Sequence, residues 1–128
     1  MALNAVTPNF ARNYGSSDLR SGRDVEYDAF SRVTRMMREA DREGRSPAAI
    51  QAIYKNNELW TILASDLADP GNRLPDELRA GLLSLAFFSL RHGREVMAGK
   101  QTTAPLIDIN MSIMKGLRGE AAELAGCS

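Results

Sequence analysis

The chain has 128 residues, and its 16 Lys+Arg balance its 16 Asp+Glu, so the formal net charge is zero. That length suits one domain. Zero net charge argues against a polybasic nucleic-acid binder, whose phosphate contacts require an excess of Lys and Arg. A single cysteine, Cys127, excludes an internal disulfide, and with a single histidine, His92, a Cys/His zinc site is not expected.

Residue usage favours helices. Ala, Leu and Met are abundant, whereas Val and Ile are scarce. The prolines from Pro47 onward fall between segments of helical apolar period. We therefore predict an all-α fold, a compact four-helix bundle-like single domain with a flexible N-terminal arm. Residues 1–22 form the arm and linker, residues 23–118 the helical domain and residues 119–128 a C-terminal tail.

The first helix is predicted over Asp24–Glu43, with Gly44 just past its end. The second begins with Ser46 as N-cap and Pro47 in the first turn, and it continues to about Ala68. Its expected apolar stripe comprises Ile50, Ile53, Asn57, Trp60, Ala64 and Leu67.

The third helix is predicted from Pro75 to about Ala98. Because residues 82–90 are apolar on nearly every face, we expect it to be a central helix packed on several sides. The fourth is predicted over Ala104–Leu117 and is expected to end at Gly116 and Gly119.

No arrangement of residues suggests catalysis. The chain offers no phosphate-binding glycine loop, no paired carboxylates and no nucleophile with a base beside it, so we expect no enzymatic activity, no cofactor and no metal. The arginines of late helix 1, at positions 32, 35, 38, 42 and 45, have no aromatic residues between them, and we interpret them as a solvated face. Without a signal peptide or an apolar stretch long enough for a bilayer, we expect a cytoplasmic protein with no membrane insertion.

Polar residues inside apolar stripes are the best candidates for partner contact. Asn57 and Asn110 interrupt such stripes, and a buried amide must find hydrogen-bond partners. Such a residue caps a neighbouring segment, fixes the register of the bundle or faces a groove that a partner fills. The candidate partner-binding residues are Asn57, Trp60, Leu63, Asn72, Leu74, Asp108, Asn110, Met111 and Met114. A large aromatic in a helix stripe is usually buried, so Trp60 is also expected in the core.

An ordered series of short motifs resembles the FlaF family of flagellar biosynthesis regulators from alphaproteobacteria. The motifs are Arg23-Asp24-x-Glu26-Tyr27, Phe30-x-x-Val33-Thr34, Asn57-x-x-Trp60, Pro70-Gly71-Asn72-x-Leu74-Pro75, Leu83-Ser84-Leu85, Pro105-Leu106-Ile107-Asp108-Ile109-Asn110 and Gly116-Leu117. The resemblance implies a cytoplasmic helical protein that promotes flagellin synthesis and secretion. It implies flagellin as the partner, bound by a secretion chaperone or adaptor, and a link to the regulator FlbT.

Three functions stay open at this point. The first is a chaperone that binds an amphipathic helix of flagellin in an apolar groove. The second is a post-transcriptional regulator that contacts flagellin mRNA directly or through FlbT; direct contact would depend steeply on salt. The third is a structural homodimer whose Met and Leu faces bury each other, because the sequence leaves the oligomeric state open.

Overall fold

A computed structural model describes the backbone of residues 19–126 and the side chains of residues 27–116. The described chain forms four α-helices. They are α1 (Leu19–Glu39), α2 (Pro47–Ala68), α3 (Asp76–Met97) and α4 (Ala104–Gly126). The predicted all-α class is confirmed, and the predicted arm lies largely outside the described residues.

Each helix packs beside its neighbour in the chain, and α1 also packs against α4. Within the described chain the diagonal pairs, α1 with α3 and α2 with α4, do not approach closely through their backbones. The contact between α2 and α3 is the most extensive and that between α3 and α4 the least. Short connections make successive helices antiparallel, so the molecule has two ends. We call the end with residues 40–46 and 98–103 the closed end, and the end with residues 69–75 the open end.

The predicted bounds of two helices are wrong. The first helix is shifted toward the N-terminus, beginning at Leu19 instead of Asp24 and ending at Glu39 instead of Glu43. The fourth helix continues through Gly116 and Gly119 to Gly126, well beyond the predicted Leu117. A glycine costs only about 1 kcal/mol inside a helix, and the Ala, Glu and Leu residues that follow are strong helix formers.

The closed end is fixed by local hydrogen bonds. The Asp41 carboxylate accepts the Arg45 N–H at 2.7 Å, the Ser46 N–H and the Ser46 hydroxyl. The Ser46 hydroxyl oxygen in turn accepts the Ala49 N–H at 3.1 Å, so Ser46 is the predicted N-cap of α2. The two connections are joined where the Thr103 N–H donates to the Arg42 carbonyl at 3.0 Å.

Gly44 is required at the closed end for two reasons. Its φ of +73° lies in the left-handed region that residues with a Cβ rarely adopt. A Cβ at this position would also lie 2.5 Å from Cγ1 of Val96. The turn after α1 can therefore lie directly on α3.

The core consists of two apolar clusters with a polar layer between them. The closed-end cluster contains Val33, Met37, Ala52, Ile53, Val96 and Leu106. The open-end cluster contains Phe30, Trp60, Ala86 and Met114. Each helix places one buried polar residue close to where the two clusters meet: Thr34, Asn56, Ser89 and Asn110. A polar layer of this kind favours one register of the helices over others.

The prediction that α3 is central is wrong. In its first half, Asp76–Leu85, no residue is buried, and Phe87 is 60% exposed. Only Ala86, Ser89, His92, Gly93 and Val96 of this helix are buried. The helix packs mainly on α2 and leaves much apolar surface uncovered.

None of the helices in the described part of the chain is both long and apolar enough to cross a bilayer.

Candidate partner-binding surface

Three of the predicted partner-binding residues lie in the core. Trp60 and Asn110 have no solvent exposure, and Met114 is buried beside them. The indole Nε1 of Trp60 donates to Oδ1 of Asn110 at 3.0 Å, and Nδ2 of Asn110 donates to Oδ1 of Asn56 at 2.8 Å. Phe30 meets the Trp60 ring edge-on, with 5.5 Å between the ring centroids. These groups hold α2 and α4 together across the bundle.

The buried amide of α2 is Asn56, one residue before the predicted Asn57. The stripe of α2 is rotated relative to the prediction, because Ala49, Ala52 and Asn56 are buried whereas Ile50 is 46% exposed. Asn57 is half-buried and lies against α3, where a Cβ on Gly93 would lie 2.6 Å from its Oδ1. Small side chains at the interface between α2 and α3 allow this close approach.

Asn72 and Leu74 belong to the connection at the open end. Nδ2 of Asn72 donates to the Asp66 carbonyl at 3.1 Å, and Oδ1 of Asn72 accepts the Leu74 N–H at 3.0 Å. These bonds close the turn between α2 and α3. Leu74 itself stays 37% exposed.

The remaining candidates do not form one surface. Leu63 is half-buried against the open-end cluster, whereas Asp108 and Met111 lie exposed on α4. The nine predicted residues are thus divided between the core, one connection and the outer face of α4. The structure does not bring them together into a single site.

The largest apolar feature that the sequence analysis missed is a strip of three leucines on α3. Leu78, Leu82 and Leu85 follow the helical spacing that puts residues on one face. The same face continues in Ser89, His92 and Val96, which are buried. The three leucines are not: Leu78 is 44% exposed, and Leu82 and Leu85 are half-buried. We call Leu78, Leu82 and Leu85 the leucine strip.

Two aromatic residues in the middle of α3 are also exposed. At 3.6 residues per turn, Phe88 lies at the edge of the leucine strip, whereas Phe87 lies on the opposite face of the helix. Phe87 is 60% exposed and Phe88 is 37% exposed. Phe88 stacks on the His92 ring with 5.4 Å between centroids and an interplanar angle of 22°. His92 donates from Nε2 to the Thr102 carbonyl at 2.9 Å, which joins the end of α3 to the segment before α4.

The closed end has a different chemistry. Arg35, Arg38, Arg42 and Arg45 are all exposed there or on the adjacent part of α1, and Lys100 lies in the second connection. A shallow cavity of about 200 Å³ lies between the two connections and is lined by Glu43, Arg45, Gly99, Lys100, Gln101 and Thr102. These basic residues lie beside exposed apolar side chains, because Ile50 and Met97 are also exposed toward this end.

The comparison with protein families identifies the class of protein to which this bundle belongs. The model of the family described as "Flagellar protein FlaF" matches residues 10–117. The chain therefore belongs to the FlaF family of flagellar proteins, which confirms the resemblance read from its motifs. No curated protein and no solved structure matches the chain.

Proposed function

We propose that this protein is a cytoplasmic flagellin-binding protein that keeps flagellin competent for secretion and so promotes its synthesis and export, with no reaction of its own. Membership of a family of flagellar proteins supports a role connected with the flagellum. The leucine strip carries the proposal, because its three leucines continue a buried helix face and yet stay at least partly exposed.

The spacing of the strip suits a helical partner. Anchors at i, i+4 and i+7 are typical of surfaces that bind the apolar face of an amphipathic helix. Fully burying a leucine contributes about 1.5–3 kcal/mol. Association costs at least about 4 kcal/mol, so we expect Phe88, at the edge of the strip, to add contacts. The bound segment of flagellin would then be held away from other flagellin molecules.

The test is calorimetric titration of flagellin into the purified protein and its variants. Leu78→Glu and Phe88→Glu should each weaken binding by about tenfold or more, since tenfold corresponds to about 1.4 kcal/mol. The matched control is Tyr54→Glu on α2, a position that is 56% exposed but lies toward the closed end. Circular dichroism of each variant checks that the bundle remains folded.

The outcomes separate the site from the function. If the unmodified protein shows no complex with flagellin at tens of micromolar, the chaperone proposal fails. If it binds and all three variants bind equally well, flagellin contacts another surface. A complex that forms with flagellin mRNA, weakens steeply with salt and is lost in Arg35→Glu/Arg38→Glu would favour direct RNA contact.

A further inference from the structure

The N-terminal end of the described chain lies at the open end, near the leucine strip. α1 begins at Leu19 and α3 at Asp76, and both helices begin at the open end because α2 runs antiparallel to each. The two helices are diagonal neighbours. With about 8–10 Å between adjacent helix axes, the diagonal of the bundle is roughly 11–14 Å.

The eighteen residues before Leu19 have the composition of an apolar cover. They carry only two charged residues, Arg12 and Asp18. Their larger apolar side chains are Leu3, Val6, Phe10 and Tyr14. Such a segment suits a surface of leucines and phenylalanines better than the arginine-bearing surface of the closed end.

The residues before Leu19 are long enough to reach the leucine strip. An extended chain spans about 3.3 Å per residue, so the residues between Tyr14 and Leu19 cross the diagonal of the bundle. The strip from Leu78 to Leu85 is roughly 10 Å long at 1.5 Å per helical residue. Residues 3–14 are therefore more than long enough to cover it. The family match begins at residue 10, so Phe10 and Tyr14 lie within the matched stretch of sequence.

We infer that residues 1–18 of this chain cover the leucine strip of their own molecule when no flagellin is bound. The covering contact itself does not depend on the proposed function. Its consequence rests on that function: flagellin must displace the segment in order to bind. An exposed apolar surface promotes association between copies, and a tethered cover shields it at a high effective concentration.

The test measures intramolecular disulfide formation in the full-length chain. Cys127→Ser removes the natural thiol, and Asn13→Cys places a new one in the segment. The second thiol is Ser84→Cys, exposed on α3 between the strip and Phe87. The matched control pairs Asn13→Cys with Thr61→Cys, which is exposed on α2 at a similar distance from the open end. Rates are measured in dilute solution under a mild oxidant.

We expect the 13–84 disulfide to form about tenfold or more faster than the 13–61 disulfide, because the tether alone gives both positions a similar local concentration and docking raises it only beside the strip. Adding Phe10→Ser should reduce the 13–84 rate toward that of the control without changing the helical signal. Equal rates for the two pairs, or no effect of Phe10→Ser, would overturn the inference.

Flagellin added in excess separates the two proposals. A 13–84 rate that falls with bound flagellin supports both the covering segment and the α3 site. A fast 13–84 rate that is unchanged although flagellin binds supports the covering segment and overturns the α3 site. A fast rate in a protein that binds no flagellin supports the covering segment and overturns the proposed function.

Discussion

The two halves of α3 reverse the usual relation between hydrophobicity and burial. On one face of this helix, Leu78, Leu82 and Leu85 remain at least partly exposed, whereas Ser89 and His92 are buried with Val96. The second half lies at the closed end, where α2, the turn at Gly44 and the segment before α4 surround it. The first half lies where α3 and α4 make little contact.

The comparison teaches that, along this face of α3, burial is set by the elements that lie beside each residue and not by side-chain type. A polar residue at the closed end is buried because neighbouring elements surround it, and its polar groups are in part satisfied, as when His92 donates to Thr102. Of the three leucines of the strip, Leu85 packs in part against the open-end cluster, whereas Leu78 stays 44% exposed. Three leucines with incomplete cover are a feature that a binding partner explains.

The largest effect on the free energy of unfolding should come from an aspartate in the second half of α3, and the same substitution in the first half is its control. Val96→Asp buries an unpaired carboxylate at a position that is 1% exposed, and we expect the loss of about 4 kcal/mol or more in unfolding free energy. Leu78→Asp should change it by no more than about 0.5 kcal/mol. Urea unfolding followed by circular dichroism measures both. If Leu78→Asp destabilises as strongly as Val96→Asp, the first half of α3 is not exposed in solution.

The next largest effect concerns the polar layer. Asn110→Ala leaves the Trp60 indole N–H and the Asn56 carbonyl oxygen without their partner, at about 1–3 kcal/mol for each unpaired group. We expect a total loss of about 2–4 kcal/mol in urea unfolding. Asp108→Ala, two residues earlier and exposed, is the control and should stay within about 0.5 kcal/mol of the unmodified protein. Equal losses would show that the buried amide does not contribute.

Gly93→Ala tests the close contact of α3 with α2. The new Cβ would lie 2.6 Å from Oδ1 of Asn57, and we expect a loss of about 1–3 kcal/mol. Asn57→Ala in the same chain removes the obstructing amide, so the double variant should be more stable than the sum of the single effects predicts. Strictly additive effects would mean that the two residues do not touch. Thermal unfolding of all four proteins measures the coupling.

The smallest effect is the pH dependence at the closed end. Hydrogen bonds from the Ser46 hydroxyl and then the Arg45 N–H lower the pKa of Asp41 from 3.8 to about 2. Because the folded protein holds the carboxylate ionised, its stabilising contribution is complete above about pH 4 and is lost as the pH falls toward 2. The difference in unfolding free energy between the protein and Asp41→Asn should therefore shrink over that range. A difference that stays constant from pH 6 to pH 2 would contradict this role.

Much of the fold follows from the sequence because its signals are local. Ser46 and Pro47 define the start of α2, and Gly44 marks the turn before it. The apolar period gives the number of helices. The C-terminal boundary of α4 is predicted too early, because two glycines destabilise the helix by less than the surrounding helix formers stabilise it.

The candidate surface could not be predicted in the same way. Hydropathy does not distinguish Leu78 from a core leucine, because exposure depends on how closely α3 and α4 approach at the open end. The partners of Asn110 lie 50 and 54 residues away in the chain, so no local pattern identifies them. Motif resemblance indicated the family, but it could not say which residues face solvent.

Site-specific photo-crosslinking tests the central claim most directly. A benzoyl-phenylalanine replaces Leu78 in one variant and Tyr54 in the other, and each is irradiated with flagellin under conditions where the complex forms. The account predicts a covalent adduct with flagellin from position 78 and little or none from position 54. An adduct from position 54 alone, or equal adducts from both positions, would contradict the assignment of the leucine strip as the flagellin-binding surface.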